Sequence, residues 1–142
     1  LFIFVVFLTC HHHPLLHHLM HIVKDAKRRL LLNESEILKY MEQLNFEMIC
    51  PTDLSYQKQV TLFQEAKQIV TTHGAALTNV LFCQPNAHIF EITPLNYRKV
   101  EYLWHTRSIG ASHSTIIGSQ ADHRQNFTCD IELLKKALKM ND

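Results

Sequence analysis

The residues best equipped for chemistry lie in one stretch, Thr71-Thr72-His73-Gly74-Ala75-Ala76-Leu77-Thr78-Asn79, with Glu91 a short distance downstream. The stretch follows the apolar run Gln68-Ile69-Val70 and precedes a second one, His88 to Ile92. A strand that ends in small and hydroxyl-bearing residues and then enters a short helix exposes unpaired helix N–H groups, and small side chains let a phosphate reach the backbone. Gly74 gives freedom for a sharp turn, Ala75 and Ala76 keep the helix start uncluttered, and Thr72, Thr78 and Asn79 add short hydrogen-bonding side chains. His73 can donate to a phosphate oxygen or a sugar hydroxyl. The set suits a diphosphate better than a bare carboxylate. Taken alone it is equally consistent with a structural turn in which Gly74 is steric and His73 a satisfied core residue.

Glu91 stands inside an apolar run, a costly place for a carboxylate unless it is paired. At the carboxyl end of a strand its partner would be a pair of vicinal hydroxyls, such as those of a ribose. The competing reading is an ion pair with a nearby base such as Arg98.

These residues need a scaffold, and the pattern from residue 22 onward supplies one. Asn33 followed by Glu36 reads as a capping box opening a helix with Ile37, Leu38, Met41 and Leu44 on one face. Phe46 to Cys50 alternates like a short strand closed by Pro51. Asp53 or Ser55 caps a second helix through Tyr56, Val60, Phe63 and Ala66. Ile69-Val70 is a strand, 75–82 a short helix, 88–92 a strand and 97–105 a helix. A strand over 114–117 and a helix from Asp130, as N-cap, to Lys139 complete the series. Strands and helices alternate at βα spacing, and the strands are too apolar to face water on one side. That pattern predicts an α/β fold, a Rossmann-like parallel sheet with helices on both faces. Such sheets bind ligands beyond the carboxyl ends of the strands, so the His73-Gly74 turn and the 91–94 turn are expected to meet.

The 142 residues are enough for one domain with a sizeable core. Fourteen Lys and Arg against 13 Asp and Glu leave no broad basic surface, which argues against a nucleic-acid partner. The densest basic cluster is Lys24, Lys27, Arg28 and Arg29. Cys10, Cys50, Cys83 and Cys129 are far apart and form no C-x-x-C pair, so they read as buried thiols, with neither a zinc site nor a disulfide framework expected. Asn33-Glu34-Ser35 and Asn126-Phe127-Thr128 are glycosylation sequons that matter only in a secretory lumen.

Residues 1–21 are set apart from a domain over 22–142. Leu1 to Leu8 is apolar but shorter than the roughly 20 residues a bilayer demands, and reads as a buried strand or the remainder of a truncated upstream element. His13, His17 and His21 recur every fourth residue, as metal ligands on a helix do, but Pro14 interrupts the run and no acidic residue is near to orient an imidazole. A biased segment is the favoured reading over a metal site. No G-x-G-x-x-G, Walker or G-x-S-x-G motif is present, which weakens dinucleotide, nucleotide-triphosphatase and hydrolase readings.

Three segments in order resemble glycosyltransferase family 61. Lys24-Asp25-Ala26-Lys27-Arg28-Arg29 with Leu32-Asn33-Glu34 is similar to the family's R-x-x-x-x-R-R…N-E. His73-Gly74-Ala75-Ala76-Leu77-Thr78-Asn79 is similar to its H-G-A-G-L-T-N. Phe82, Pro85 and Ile89-Phe90-Glu91-Ile92 with Pro94 are similar to its F-x-x-P-x-x-x-x-x-E-x-x-P. The resemblance implies the C-terminal, donor-binding lobe of a two-lobed GT-B enzyme. Such an enzyme moves a sugar, with inversion and without a metal or other cofactor, from a nucleotide diphosphate such as UDP-xylose or UDP-N-acetylglucosamine to a glycan or glycoprotein. By position His73, Gly74, Ala75, Thr78 and Asn79 would lie by the donor diphosphate and Glu91 by the ribose. Lys24, Arg28 and Arg29 would steady phosphates or the acceptor.

Two departures weaken the donor site relative to the family pattern: Ala76 replaces the second glycine, and Lys24 replaces an arginine, losing a bidentate fork. Residues 1–21 are too few for an acceptor lobe, so the chain is expected to be a fragment and no general base is assigned. The alternative is a non-catalytic nucleotide- or sugar-binding module. The compartment is left open: a Golgi or endoplasmic reticulum lumen for a eukaryotic enzyme, the cytoplasm or its membrane surface for a bacterial one.

Overall fold

The computed structural model describes residues 30–50, 53–97 and 99–139. The readings that fall on residues 1–29, among them the histidine run and Lys24, Arg28 and Arg29, and the one on Arg98, lie outside them. The elements are α1 (Glu34–Gln43), α2 (Tyr56–Glu65), β1 (Gln68–Thr72), a 3₁₀ helix (Ala75–Phe82), β2 (His88–Thr93), α3 (Glu101–Ser108), β3 (Ser112–Ile117) and α4 (Ile131–Lys139).

Among the described residues the strands form one three-stranded sheet in the order β1-β2-β3, all parallel. The register places Val70, Phe90 and Ser114 in one row and Thr71, Glu91 and Thr115 in the next. Because side chains alternate along a strand, the two rows face opposite sides, and each side has its own core. Val70, Phe90, Ile92 and Ile116 pack with Ile37 and Met41 of α1 and Leu134 and Leu138 of α4. Ile69 and Ile89 pack with Leu62 and Phe63 of α2, Leu77 and Val80 of the 3₁₀ helix, and Ala111. Tyr102 and Ile109, at α3, close that second side. This is the expected α/β arrangement with helices on both faces. Among the described residues no helix is long and apolar enough to cross a membrane.

Local signals in the sequence govern several boundaries. Ser55 caps α2 by accepting from the Lys58 N–H at 3.3 Å, and Asp130 caps α4 by accepting from the Glu132 N–H at 2.9 Å. The remaining three cysteines, Cys50, Cys83 and Cys129, are free thiols, and burial pushes Cys83 and Cys129 up to about 12, so both are inert at neutral pH.

Four expectations are corrected. Asn33 starts α1 without a side-chain cap. Its amide oxygen, the atom a cap would use, accepts from the Cys129 N–H at 3.0 Å, while its NH2 donates to the Cys129 carbonyl at 2.8 Å and to Glu36 Oε2 at 3.1 Å. Phe46 to Cys50 is not a strand. Phe46 belongs to one core and Ile49 to the other, so the segment passes from one side of the sheet to the other instead of lying along an edge. The helix expected over 97–105 begins at Glu101: Tyr97 is instead held in a turn after β2, its N–H donating to the Pro94 carbonyl at 3.1 Å and its carbonyl accepting from Thr93 Oγ1 at 2.9 Å. Gly74 has φ 170° and ψ 175°, an extended backbone that any residue adopts, so the turn there does not require a glycine-specific conformation.

Gly118 does have a steric reason. A Cβ there would stand 2.5 Å from the Thr128 carbonyl oxygen and 2.8 Å from the Phe127 ring. Its absence lets the loop after β3 close against the sheet, where Ser119 N–H donates to Thr128 O at 2.8 Å. Gly118→Ala is expected to destabilise the fold by about 1–3 kcal/mol through overpacking, read as a lower urea midpoint with unchanged slope.

Candidate functional site

The site lies at the carboxyl end of the sheet, where β1 runs into the 3₁₀ helix. β1 extends to Thr72, so His73 is the first residue past the strand, and its N–H still donates to the Ile92 carbonyl at 2.8 Å. That bond continues the β1–β2 ladder and sets His73 beside the end of β2. The expected meeting of the two turns is therefore observed. His73, Pro94, Tyr97, Gln125 and Phe127 line a small pocket there. Tyr97 and Tyr102 pack against His73 with ring centroids 5.0 Å away in each case.

Glu91 is 2% exposed and occupied on both oxygens. His73 Nδ1 donates to one oxygen, and His113 Nε2 donates to the other at 3.0 Å. Burial alone would raise this carboxyl, but the hydrogen bonds from His113 and His73, together with their charges, outweigh it and hold Glu91 below its ordinary value of 4.5. Glu91 is thus a buried carboxylate with a donor on each side. A carboxylate accepts only, so Nδ1 of His73 carries a proton and Nε2 is the ring nitrogen left for other partners. Nε2 lies 3.8 Å from Glu101 Oε1, which also sits 3.9 Å from Lys99 Nζ.

The 3₁₀ helix opens beside His73. Its first internal bond runs from Leu77 N–H to Gly74 O at 3.0 Å. Ala75 is exposed and Ala76 half-buried, which leaves the start of the helix open to an incoming group. A 3₁₀ run of this length is uncommon, and here it is held between α2 and α3 by Leu77 and Val80 in the second core.

The sequence-selected residues divide. His73 and Glu91 are in direct contact, with Gly74 and Ala75 following in the chain. Thr78 is exposed, and its side chain hydrogen-bonds the Tyr102 phenol that covers His73. Burial and the charges of Glu101 and Glu91 push that phenol up. Asn79 points away, donating to Gln59 Oε1 of α2 at 2.9 Å. Each Glu91 oxygen already accepts one imidazole N–H and the residue is 2% exposed, so a ribose hydroxyl would have to reach a buried carboxylate. Sequence reasoning did not find His113, Tyr97, Tyr102 or Gln125. For His113 the signal would be a polar residue at the register position beside a buried acid, and that register is not readable from one chain. Among the described residues no three His, Cys, Asp or Glu side chains are arranged to hold a metal ion.

An α/β domain with a parallel sheet carries its polar site where such sheets bind ligands, beyond the carboxyl ends of the strands. The family model for glycosyltransferase 61 matches residues 10–90, more than half of the chain and including the whole His73–Asn79 segment. The chain belongs to glycosyltransferase family 61. Glu91, Tyr97, Tyr102 and His113 lie past the matched residues. No curated protein matches the chain.

Proposed function

We propose that this chain is the donor-binding lobe of a glycosyltransferase that uses a nucleotide-diphosphate sugar, with UDP as the nucleotide, and needs no metal or other cofactor. An acceptor-binding lobe from further sequence would complete a GT-B enzyme that transfers the sugar with inversion to a glycan or glycoprotein. The single observation that carries the reading is His73, placed at the end of β1 next to an open helix start, with its Nδ1 tied to a buried carboxylate.

In this reading His73 takes a second proton on Nε2 and donates to a diphosphate oxygen. Gly74 and Ala75 contribute backbone N–H groups, and Thr78 lies on the same rim. Fixed donors and a cation aimed at the departing diphosphate stabilise the charge that develops as the bond to the sugar breaks, which is the largest contribution a donor lobe makes to such a transfer. Glu91 acts here as the counter-ion of His73, because it is buried between His73 and His113. Asn79 acts by pinning the 3₁₀ helix to α2. Lys24, Arg28 and Arg29 are proposed as further phosphate or acceptor contacts.

The test is UDP binding to the full chain by titration calorimetry. Binding of equal strength with and without a chelator is expected. Absence of binding, or binding that appears only with magnesium or manganese, would sink the proposal.

A further inference from the structure

The reading above gives His113 no task. It lies on β3 opposite Ile89 of β2, and its side chain is 2% exposed. Both ring nitrogens make polar contacts: Nε2 with Glu91 Oε2 at 3.0 Å and Nδ1 with Thr106 Oγ1 at 3.2 Å. Thr106 is fully buried in α3 and donates to the Tyr102 carbonyl at 2.8 Å. A continuous polar line therefore runs from Thr106 through His113 and Glu91 to His73, crossing from α3 to the end of β1 through an otherwise apolar interior.

We propose that His113 is a positioning residue for anion binding at His73. It keeps Glu91 ionised and in place, and Glu91 in turn fixes the His73 ring with a proton on Nδ1, so that Nε2 faces the ligand. The inference rests on the donor-site reading only for the identity of the anion.

The physical argument is local. A buried carboxylate with a single donor is poorly compensated, and a second donor lowers that cost. Without the His113 N–H, the Glu91 carboxyl moves up and competes for the proton it now accepts from His73. His73 then shifts toward the other tautomer and loses the fixed acceptor that orients its ring. The other titratable groups facing His73 are Glu101, Tyr97 and Tyr102, and His88 feels the charge of His113. None of them replaces the donor to Glu91 Oε2.

The experiment compares His113→Gln, which keeps an N–H donor, with His113→Met, which is close in shape and has none. Imidazole ¹⁵N spectra of the full chain read the His73 tautomer directly, with no ligand present. The wild type and the Gln variant are expected to hold the proton on Nδ1. In the Met variant the Nδ1-protonated share should fall at least about twofold, and UDP should bind about tenfold more weakly. Unchanged His73 signals in the Met variant, or equal perturbation by Gln and Met, would overturn the proposal. Should the Met variant not fold, His113→Phe enters the same comparison. If UDP fails to bind the wild type while His73 responds to His113→Met, the nucleotide reading falls and the relay stands. UDP binding with unresponsive His73 signals gives the reverse.

Discussion

Glu91→Ala is expected to destabilise the protein by about 3–5 kcal/mol, the size of effect seen when one partner of a buried charged pair is removed. That is a large share of the roughly 5–15 kcal/mol that holds a typical domain together. The cause is specific. Glu91 accepts from His73 on one oxygen and from His113 on the other, and both imidazoles are nearly inaccessible to water. Truncation leaves two buried N–H groups without an acceptor, together with a cavity. Glu91→Gln should cost less, because the amide keeps the shape and one accepting oxygen, but it sets an N–H donor against one of the histidines. Urea denaturation followed by circular dichroism measures both, and an alanine variant within about 1 kcal/mol of wild type would refute the account.

The same carboxylate predicts a pH dependence. Its folded-state value lies below its ordinary 4.5, so its contribution is fully present above the unfolded value and is lost as pH falls through the depressed folded value. The stability gap between wild type and Glu91→Gln should therefore shrink once the solution is more acidic than that ordinary value. A gap that stays constant through strong acid would show that the carboxylate charge contributes nothing.

The second large effect is on ligand binding. His73→Ala is expected to weaken UDP binding about 10- to 100-fold, the equivalent of one charge-assisted hydrogen bond. Alanine also removes a donor from Glu91, so some loss of stability will accompany it. His73→Asn separates the two effects: its amide can still donate to Glu91 from near the Nδ1 position, but it cannot become a cation. Stability should return toward wild type in the Asn variant while affinity remains low. A folded alanine variant that binds UDP within twofold of wild type would remove His73 from the site.

Much of the scaffold was legible because its signals are local. Ser55 and Asp130 mark helix starts through side chains that reach N–H groups a few residues on, and the apolar runs at 68–72 and 88–93 are short enough to be strands and bare enough to be buried. The readings that failed depended on packing or on partners that the local sequence does not show. Asn33 looked like a cap, but its amide bonds Cys129, 96 residues away. Tyr97 looked like the start of a helix, but it lies in a turn after β2 closed by its N–H on the Pro94 carbonyl.

The chain alone determined which residues had chemistry to offer. A histidine, a glycine and small residues after an apolar strand mark a place where backbone N–H groups lie open, and an acid inside an apolar strand must find a partner because charge is costly to bury. These are properties of residue type and spacing. Tertiary structure alone decided what the acid pairs with, because a partner across a parallel sheet is set by strand register, and register depends on the whole core. That register places His113 one strand from Glu91 and His73 at the end of the other neighbour. A carboxylate that the sequence offers to a ligand is, in the fold, the group that holds His73.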